Sequence, residues 1–147
     1  MSQIRNLILA VAAKLEWMPA LLSRLAIGII FTQSGWGKLQ HLDKVVQFFT
    51  SLGIPAPQLQ APFVAGVELV GGALVLIGLF TRVASVPLIG TMVVAILTAK
   101  RAEIHALGDL LFMPEFLFIV LLLWLIVKGA GSLSVDHVLD SRYSNPT

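Results

Sequence analysis

Four stretches of the chain are almost continuously apolar, and each has about the length that a helix needs to cross a bilayer. They lie at residues 19–37, 61–80, 83–99 and 110–127. A hydrocarbon core about 30 Å thick requires roughly 20 apolar residues in helical conformation. The stretches lack the strict alternation of a strand, and only helices or closed barrels satisfy their backbone groups in lipid. The pattern predicts an all-α integral membrane protein, a four-helix bundle.

The segment 1–18 has a different pattern, in which apolar residues share one face of a helix and charged residues flank it. The apolar residues are Ile4, Leu7, Ile8, Val11 and Leu15. This spacing predicts an amphipathic helix that lies at the membrane interface. The alternative interpretation is a cleaved signal peptide, with Arg5 as its positive region and LILAVAA as a short apolar region.

The connections between the stretches are unequal in length. Only Thr81 and Arg82 separate the second stretch from the third, so these two helices are expected to be antiparallel neighbours. The first connection, residues 38–60, is long enough to be functional, and its apolar residues predict a short amphipathic helix that ends at the run 53–57. We therefore divide the chain into an interfacial helix (1–18), a four-span domain (19–128) and a polar C-terminal tail (129–147).

The composition indicates lipid as the solvent and excludes several kinds of functional site. Hydrophobic residues make up 57% of the chain and charged residues 12%, against about 45–50% and about 25% in a typical soluble domain. There is no cysteine, which excludes disulfides, thiol relays and iron–sulfur clusters. No predicted span contains a histidine that could hold a haem. The net charge of +2 comes without a basic run, so nucleic acid is not an expected partner.

The distribution of positive charge predicts the orientation in the membrane. With four spans both termini lie on one side, together with Arg5, Lys14, Arg24, Arg82, Lys128 and Arg142. The other side carries Lys38, Lys44, Lys100 and Arg101. The positive-inside rule then places both termini in the cytoplasm.

Two stripes of small and charged residues run along the first and second predicted spans. The first stripe consists of Arg24, Gly28, Phe31, Gly35 and Lys38, and the second of Glu68, Gly71, Gly72, Val75, Gly78 and Arg82. Charges inside a bilayer cost several kcal/mol each and require partners. Small residues allow helices to approach closely, so we expect the two stripes to face each other.

Depth along the helices predicts which of the charges meet. Glu68 lies on the order of 10 Å below the non-cytoplasmic face, and Lys38 and Glu115 lie near the same face. We therefore expect these three residues to form one cluster, with His41 and His105 at its mouth and with Arg24 and Arg82 in a separate cytoplasmic-side group. The alternatives are structural: Lys38 and Arg82 as headgroup anchors, Glu68 as a helix–helix hydrogen bond, Glu115 at a solvated helix end and the loop histidines simply solvated.

Several motifs, taken in order, resemble the DoxX family of small membrane proteins. They are Arg24-Leu25 with Gly28 and Phe31, Gly35-x-x-Lys38-Leu39, Phe49 followed by Gly53-Ile54-Pro55, Glu68-Leu69-Val70-Gly71-Gly72 with Gly78 and Thr81-Arg82, and Gly129-Ala130-Gly131 with Ser134 and Asp136. The resemblance implies a four-helix protein of a bacterial inner membrane. The related DoxD proteins resemble the membrane subunit of a thiosulfate:quinone oxidoreductase, which implies quinone chemistry. Ser34 departs from the histidine that the family often has before the glycine, which puts proton handling at that position in doubt.

The resemblance and the charged cluster lead to two functional hypotheses. In the first, the chain is the membrane subunit of a quinone-linked oxidoreductase that is inactive without a protein partner. Lys38, Glu68 and Glu115 would handle protons, without a metal ion. Phe31, Gln33, Gly35, Trp36, Gly71, Gly72 and Arg24 would surround the quinone. In the second, the chain is a non-catalytic anchor or assembly factor for a membrane-associated complex. Membrane lipid and a protein partner, with self-association as a further option, are the expected neighbours.

Overall fold

The computed structural model describes residues 2–143, and this part of the chain is built from helices without any strand. The predicted all-α fold class is confirmed. The α-helices, in chain order, are α1 (Ser2–Lys14), α2 (Trp17–Gln40), α3 (Leu42–Ser51), α4 (Pro57–Ile77), α5 (Thr81–Thr98), α6 (Leu107–Phe112), α7 (Pro114–Lys128) and α8 (Val135–Tyr143), with a 3₁₀ turn at Arg101–Glu103.

The helix bounds agree with the predicted stretches in three cases and differ in the fourth. Helices α2, α4 and α5 lie over the first three stretches, and α3 confirms the short amphipathic helix of the first connection. The fourth stretch was predicted to be continuous from residue 110, but the structure interrupts it at Met113, which is extended (φ −72°, ψ 131°). The cause is Pro114, because the ring of a proline disfavours helical conformation in the residue before it.

Within the described residues, two helices are long and apolar enough to cross a membrane by length and composition: α4 and α5. Helix α2 has 24 residues, but Arg24, Gln33 and Lys38 reduce its apolar character. Helix α7 has 15 residues, which corresponds to about 22 Å and falls short of the hydrocarbon thickness. Two of the four predicted spans are therefore supported as individual membrane-crossing helices.

The four longest helices surround a common apolar core. Helix α2 packs against α4, α4 against α5, α5 against α7, and α7 against α2. The fully packed side chains at their centre are Ile27, Phe31, Val75, Ala84, Leu88, Met92, Leu122 and Leu125. The antiparallel contact predicted between the second and third stretches is therefore present as the α4–α5 pair.

The outer surface of these helices is also apolar. Phe63 on α4, Val83 on α5 and Val127 on α7 are each more than two-thirds exposed. Soluble monomers rarely expose large contiguous apolar surface. Apolar outer faces of this kind are expected for helices that are surrounded by lipid. On α1, Ile4, Ile8 and Leu9 are likewise exposed, and the interfacial position of this helix remains a prediction.

Three glycines allow the backbones of α2 and α4 to touch. A Cβ atom at Gly28 would lie 2.6 Å from Cβ of Leu76, and one at Gly72 would lie 2.6 Å from the backbone nitrogen of Thr32. A Cβ atom at Gly35 would overlap the backbone of Leu69. We call Gly28, Gly35 and Gly72 the glycine seam. Because residue numbers rise along α2 as they fall along α4, the two helices are antiparallel and held in one register.

The glycine seam generates a prediction with a matched control. Gly35→Ala should lower the free energy of unfolding by about 1–3 kcal/mol, since the added methyl group must push two backbones apart. Gly37→Ala should be neutral or slightly stabilising, because nothing lies within 4 Å of its Cβ position and alanine favours helix. Thermal unfolding of both variants in detergent measures the difference, and equal behaviour of the two would contradict the seam.

Candidate functional site

A cavity of about 790 Å³ lies among α2, α3, α4, α5 and α7, and most of its lining is apolar. Aromatic rings and a thioether form much of the wall: Phe31, Phe48, Phe49, Phe63, Phe118 and Met92. Such a volume falls within the range of roughly 300–1,000 Å³ that is usual for small-molecule sites, which combine an apolar lining with a few placed polar groups.

An ion pair forms one polar part of the cavity wall. The ammonium group of Lys38 on α2 donates hydrogen bonds to both carboxylate oxygens of Glu68 on α4. The hydroxyl of Ser34, one turn before Lys38, donates to Oε2 of Glu68 at 2.8 Å. The Glu68 side chain is 2% exposed and that of Lys38 is 29% exposed. The carboxylate is thus enclosed, whereas the lysine remains accessible at the cavity.

The glycine seam explains why these residues meet. It places Gly35 beside Leu69 and Gly72 beside Thr32, so Ser34 must lie beside Glu68 in the same antiparallel register. Lys38 follows Ser34 by four residues and therefore shares its helix face. The long, flexible side chain of the lysine then reaches back to the carboxylate. Backbone contact between the two helices thereby fixes the position of a charged pair.

Glu115 lines the same cavity from α7, but it does not join the ion pair. No hydrogen bond or salt bridge within residues 2–143 connects its carboxyl group to Lys38 or Glu68. Its Oε2 is buried, and it has no hydrogen-bond partner in the described part of the chain. The predicted three-residue cluster is therefore present as a pair, with a third carboxyl group on the same cavity.

The residues predicted to surround a ligand are mostly placed elsewhere. Of the seven, all within the described range, Phe31 is the one that lines this cavity. Gln33 and Trp36 are exposed on other faces of α2. Gly35 and Gly72 belong to the glycine seam, and Gly71 packs against Leu88. These glycines position the site by helix packing and do not line the cavity.

Arg24, also predicted to contact the ligand, lies at the other end of the α2–α4 contact and is 3% exposed. Its guanidinium donates to four backbone carbonyls, at 3.2 Å to Val75, 3.1 Å to Leu76, 2.8 Å to Ala130 and 2.7 Å to Leu133. The first two belong to the last turn of α4, where carbonyls lack intrahelical partners. Arg24 is therefore a structural clamp at this end of the contact, and it does not line the cavity.

Arg24 and Arg82, predicted to form a separate group, lie at the same end of the bundle: Arg24 donates to the carbonyl of Ala130, and the guanidinium of Arg82 lies 3.3 Å from the Cβ position of Gly129. They differ in burial, because Arg82 is exposed whereas Arg24 is enclosed. The clamp also attaches the segment after α7 to the end of α4. Asp136 completes this attachment: its carboxylate accepts hydrogen bonds from the backbone N–H groups of Phe80 (2.7 Å) and Thr81 (3.1 Å) at the start of α5. The predicted polar tail thus begins with a segment that is bonded to the helices.

Sequence reasoning missed several residues of the cavity. Ser34 was treated as a departure from a family pattern, although its four-residue spacing from Lys38 places both on one helix face. Phe48 and Phe49 of α3 also line the cavity, together with Lys44. The amphipathic pattern of α3 predicted an apolar face, but the pattern alone did not indicate that this face covers a cavity.

The loop between α5 and α7 carries charged groups near the site. Lys100 donates to Glu103 at 3.0 Å, and this hydrogen bond raises the pKa of Lys100. Asp109 accepts hydrogen bonds from the backbone N–H groups of His105 and Ala106. Neither His41 nor His105, predicted at the mouth of the site, lines the cavity. The described residues contain no group of three or more His, Cys, Asp or Glu suited to a metal ion.

Helical packing, apolar outer faces and a cavity with a buried ion pair define the class of this molecule as a helical membrane protein. The DoxX family profile matches residues 20–101, more than half of the chain. The chain belongs to the DoxX family, and the predicted resemblance is confirmed.

Two relatives extend this finding. The chain is 35% identical to "Putative oxidoreductase CatD" of Bacillus subtilis (strain 168) over 79% of its own length and 83% of the relative. It is 27% identical to "Inner membrane protein YqjF" of Escherichia coli (strain K12) over 88% of its own length and 98% of the relative. No solved structure matches the chain.

The clamp generates the second prediction. Arg24→Met should lower the free energy of unfolding by about 3 kcal/mol or more, because the carbonyls of Leu76, Ala130 and Leu133 lose this donor and that of Val75 keeps the N–H of Gly78 alone. Arg82→Met, which removes an exposed arginine, should have a much smaller effect. Thermal unfolding in detergent tests both variants, and a similarly small effect of Arg24→Met would show that the clamp is dispensable.

Proposed function

We propose that this protein binds a quinone headgroup in the cavity and works as the membrane subunit of a quinone-linked redox system. The observation that carries the proposal is the Lys38–Glu68 ion pair in the wall of a mostly apolar cavity. A quinone ring has flat apolar faces and oxygen acceptors at its edge. The cavity offers aromatic side chains for the faces and an ammonium group for an oxygen.

The donor chemistry of Lys38 fits this ligand. An ammonium group has three N–H donors, and two of them are directed to the oxygens of Glu68. The third is available, and the side chain is partly accessible at the cavity. In surroundings of low dielectric constant, a hydrogen bond from a charged donor is stronger than one in water. Lys38 would therefore hold and orient a ring oxygen.

Reduction of a bound quinone consumes two electrons and two protons. Lys38 would keep an N–H group directed at the oxygen that receives a proton, while Glu68 and Ser34 would hold the ammonium group in place. Glu115, on another helix, would provide a second protonatable group at the same cavity. The electrons would come from a partner protein, because the chain has no cysteine for a thiol or iron–sulfur centre.

The name of the relative CatD supports a redox role, since it describes that protein as a putative oxidoreductase. The alternative function, a non-catalytic anchor or assembly factor, makes a different use of the same ion pair. In that case Lys38 and Glu68 would only join α2 to α4, and removal of either one would act on stability alone.

We further propose that the chain crosses the membrane four times, through α2, α4, α5 and the combined α6–α7 segment, in a bacterial inner membrane. The apolar outer faces of α4, α5 and α7 support this arrangement. The name of YqjF, an inner membrane protein, supports the location. Helix α1 would lie at the interface, and the excess of Lys and Arg near the termini would hold both in the cytoplasm.

Single cysteines test this topology, because the chain has none of its own. A membrane-impermeant maleimide should label Ser51→Cys in spheroplasts with the inner membrane intact, and Ser141→Cys only in inverted vesicles. Both serines are exposed. The reverse pattern, with Ser51→Cys labelled only from the cytoplasmic side and Ser141→Cys labelled from the outside, would overturn the orientation.

The binding function generates a further prediction. The purified full chain in detergent should bind a tail-less dimethoxy-methyl-benzoquinone in equilibrium dialysis. Lys38→Met should weaken this binding by roughly tenfold or more, because it removes a charged hydrogen bond. Glu68→Gln should also weaken binding, since the amide no longer anchors the ammonium group by charge.

Stability measurements distinguish the two functions. Lys128→Met serves as the control, because Lys128 is exposed and does not line the cavity, and it should bind like wild type. If wild type binds no benzoquinone and Glu68→Gln only lowers the unfolding temperature, the redox proposal fails and the anchor function is favoured. Loss of binding by Glu68→Gln with little change in unfolding temperature supports the redox function.

A further inference from the structure

Glu115 presents a carboxyl group whose hydrogen bonding is incomplete. Its Oε2 is buried and lacks a partner in the described chain, although the residue itself lines the cavity. Two of the nearby basic side chains are engaged elsewhere: Lys38 bonds to Glu68, and Lys100 bonds to Glu103. Lys44 on α3 lines the same cavity, and it forms no salt bridge with Glu115 in the described part of the chain. Within the described residues, Glu115 has no salt-bridge partner.

A buried polar atom without a partner is costly, more so for a charged group, and native proteins rarely keep one without a reason. The last torsion of a glutamate side chain is broad and nearly two-fold. Rotation about this torsion exchanges the two oxygens, so either one can face the cavity. A carboxylate accepts hydrogen bonds and donates none, so the group that would satisfy Glu115 is a hydroxyl or N–H of a bound molecule.

We propose that Glu115 accepts a hydrogen bond from a ring hydroxyl of the ligand and that the site consequently favours a hydroquinone over the corresponding quinone. This inference rests on the proposed function and specifies which form of the ligand the cavity prefers. It concerns binding alone and requires no electron-transfer step.

Two of the polar groups that line the cavity, Lys38 and Glu115, differ in what they can recognise. Lys38 is a donor, and it can meet an oxygen of either form of the ring, because carbonyl and hydroxyl oxygens both accept. Glu115 as a carboxylate is an acceptor, and it can meet only a form that carries a hydroxyl. Facing a quinone carbonyl, it would place two acceptors against each other. Glu115 therefore distinguishes the hydroquinone from the quinone, whereas Lys38 holds the ring in either form.

The experiment compares two ligands that differ by two hydrogen atoms. The tail-less dimethoxy-methyl-benzoquinone and its hydroquinone are each equilibrated with the full chain in detergent under anaerobic conditions, and their dissociation constants are measured by equilibrium dialysis. Wild type should bind the hydroquinone roughly tenfold more tightly, as expected for one hydrogen bond to a charged group. Glu115→Gln should bring the two constants together, because the amide can donate to a carbonyl oxygen as well as accept from a hydroxyl, so quinone binding strengthens as hydroquinone binding weakens.

The matched control is Glu16→Gln, which alters an exposed carboxylate before α2 that does not line the cavity, and it should retain the wild-type preference. Glu115→Asp keeps the carboxylate and should retain part of the preference for the hydroquinone. This variant serves as the test if Glu115→Gln does not fold. Equal binding of both forms by wild type, or an undiminished preference in Glu115→Gln, would overturn the inference while the proposed function stands. Binding of neither form by wild type would overturn both.

Discussion

Helices α2 and α4 approach so closely that backbone atoms form much of their contact, and the other features of the site depend on this approach. Helices separated by ordinary side chains lie about 8–10 Å apart between their axes. A closer approach brings a side chain as short as that of Ser34 within reach of a carboxylate on the facing helix. The glycine seam removes the intervening side chains, so Ser34 bonds directly to Glu68.

A basic residue lies at each end of the α2–α4 contact, and the two residues find their hydrogen-bond partners in different ways. Arg24 directs its N–H groups at four neutral carbonyls and is almost fully enclosed. Lys38 shares its charge with one carboxylate and keeps a donor and some exposure at the cavity. The first arrangement closes the end of α4 and attaches the segment after α7. The second leaves polar chemistry accessible inside an apolar space, which is why only the Lys38 end is a candidate for function.

Much of this arrangement could be predicted from the sequence, because helical periodicity determines which residues share a face. The stripes through Gly28, Gly35 and Glu68 correctly indicated the α2–α4 contact and the Lys38–Glu68 pair. Trp36 does not line the cavity, because it follows Phe31 by five residues, which rotates it about 140° around the helix despite a similar depth.

Depth alone also could not determine whether Glu115 would contact the Lys38–Glu68 pair. It gives the height of a residue along the bundle axis but not its angular position around that axis. The partners of Arg24 were beyond sequence reasoning for a related reason. Ala130 and Leu133 offer backbone carbonyls, and every residue has one, so no residue type marks them. Contacts of this kind are set by the tertiary path of the chain.

The position of the ion pair bears on whether it is structural. Helices α2 and α4 are already joined by the glycine seam and by the clamp at Arg24, so their association does not require a further charged contact. A buried ion pair contributes little net stability, because the desolvation of both groups offsets their attraction. In apolar surroundings such a pair is therefore difficult to explain by packing alone. Its location in the wall of a cavity, with a donor still available, is consistent with a role in binding a polar atom of an otherwise apolar molecule.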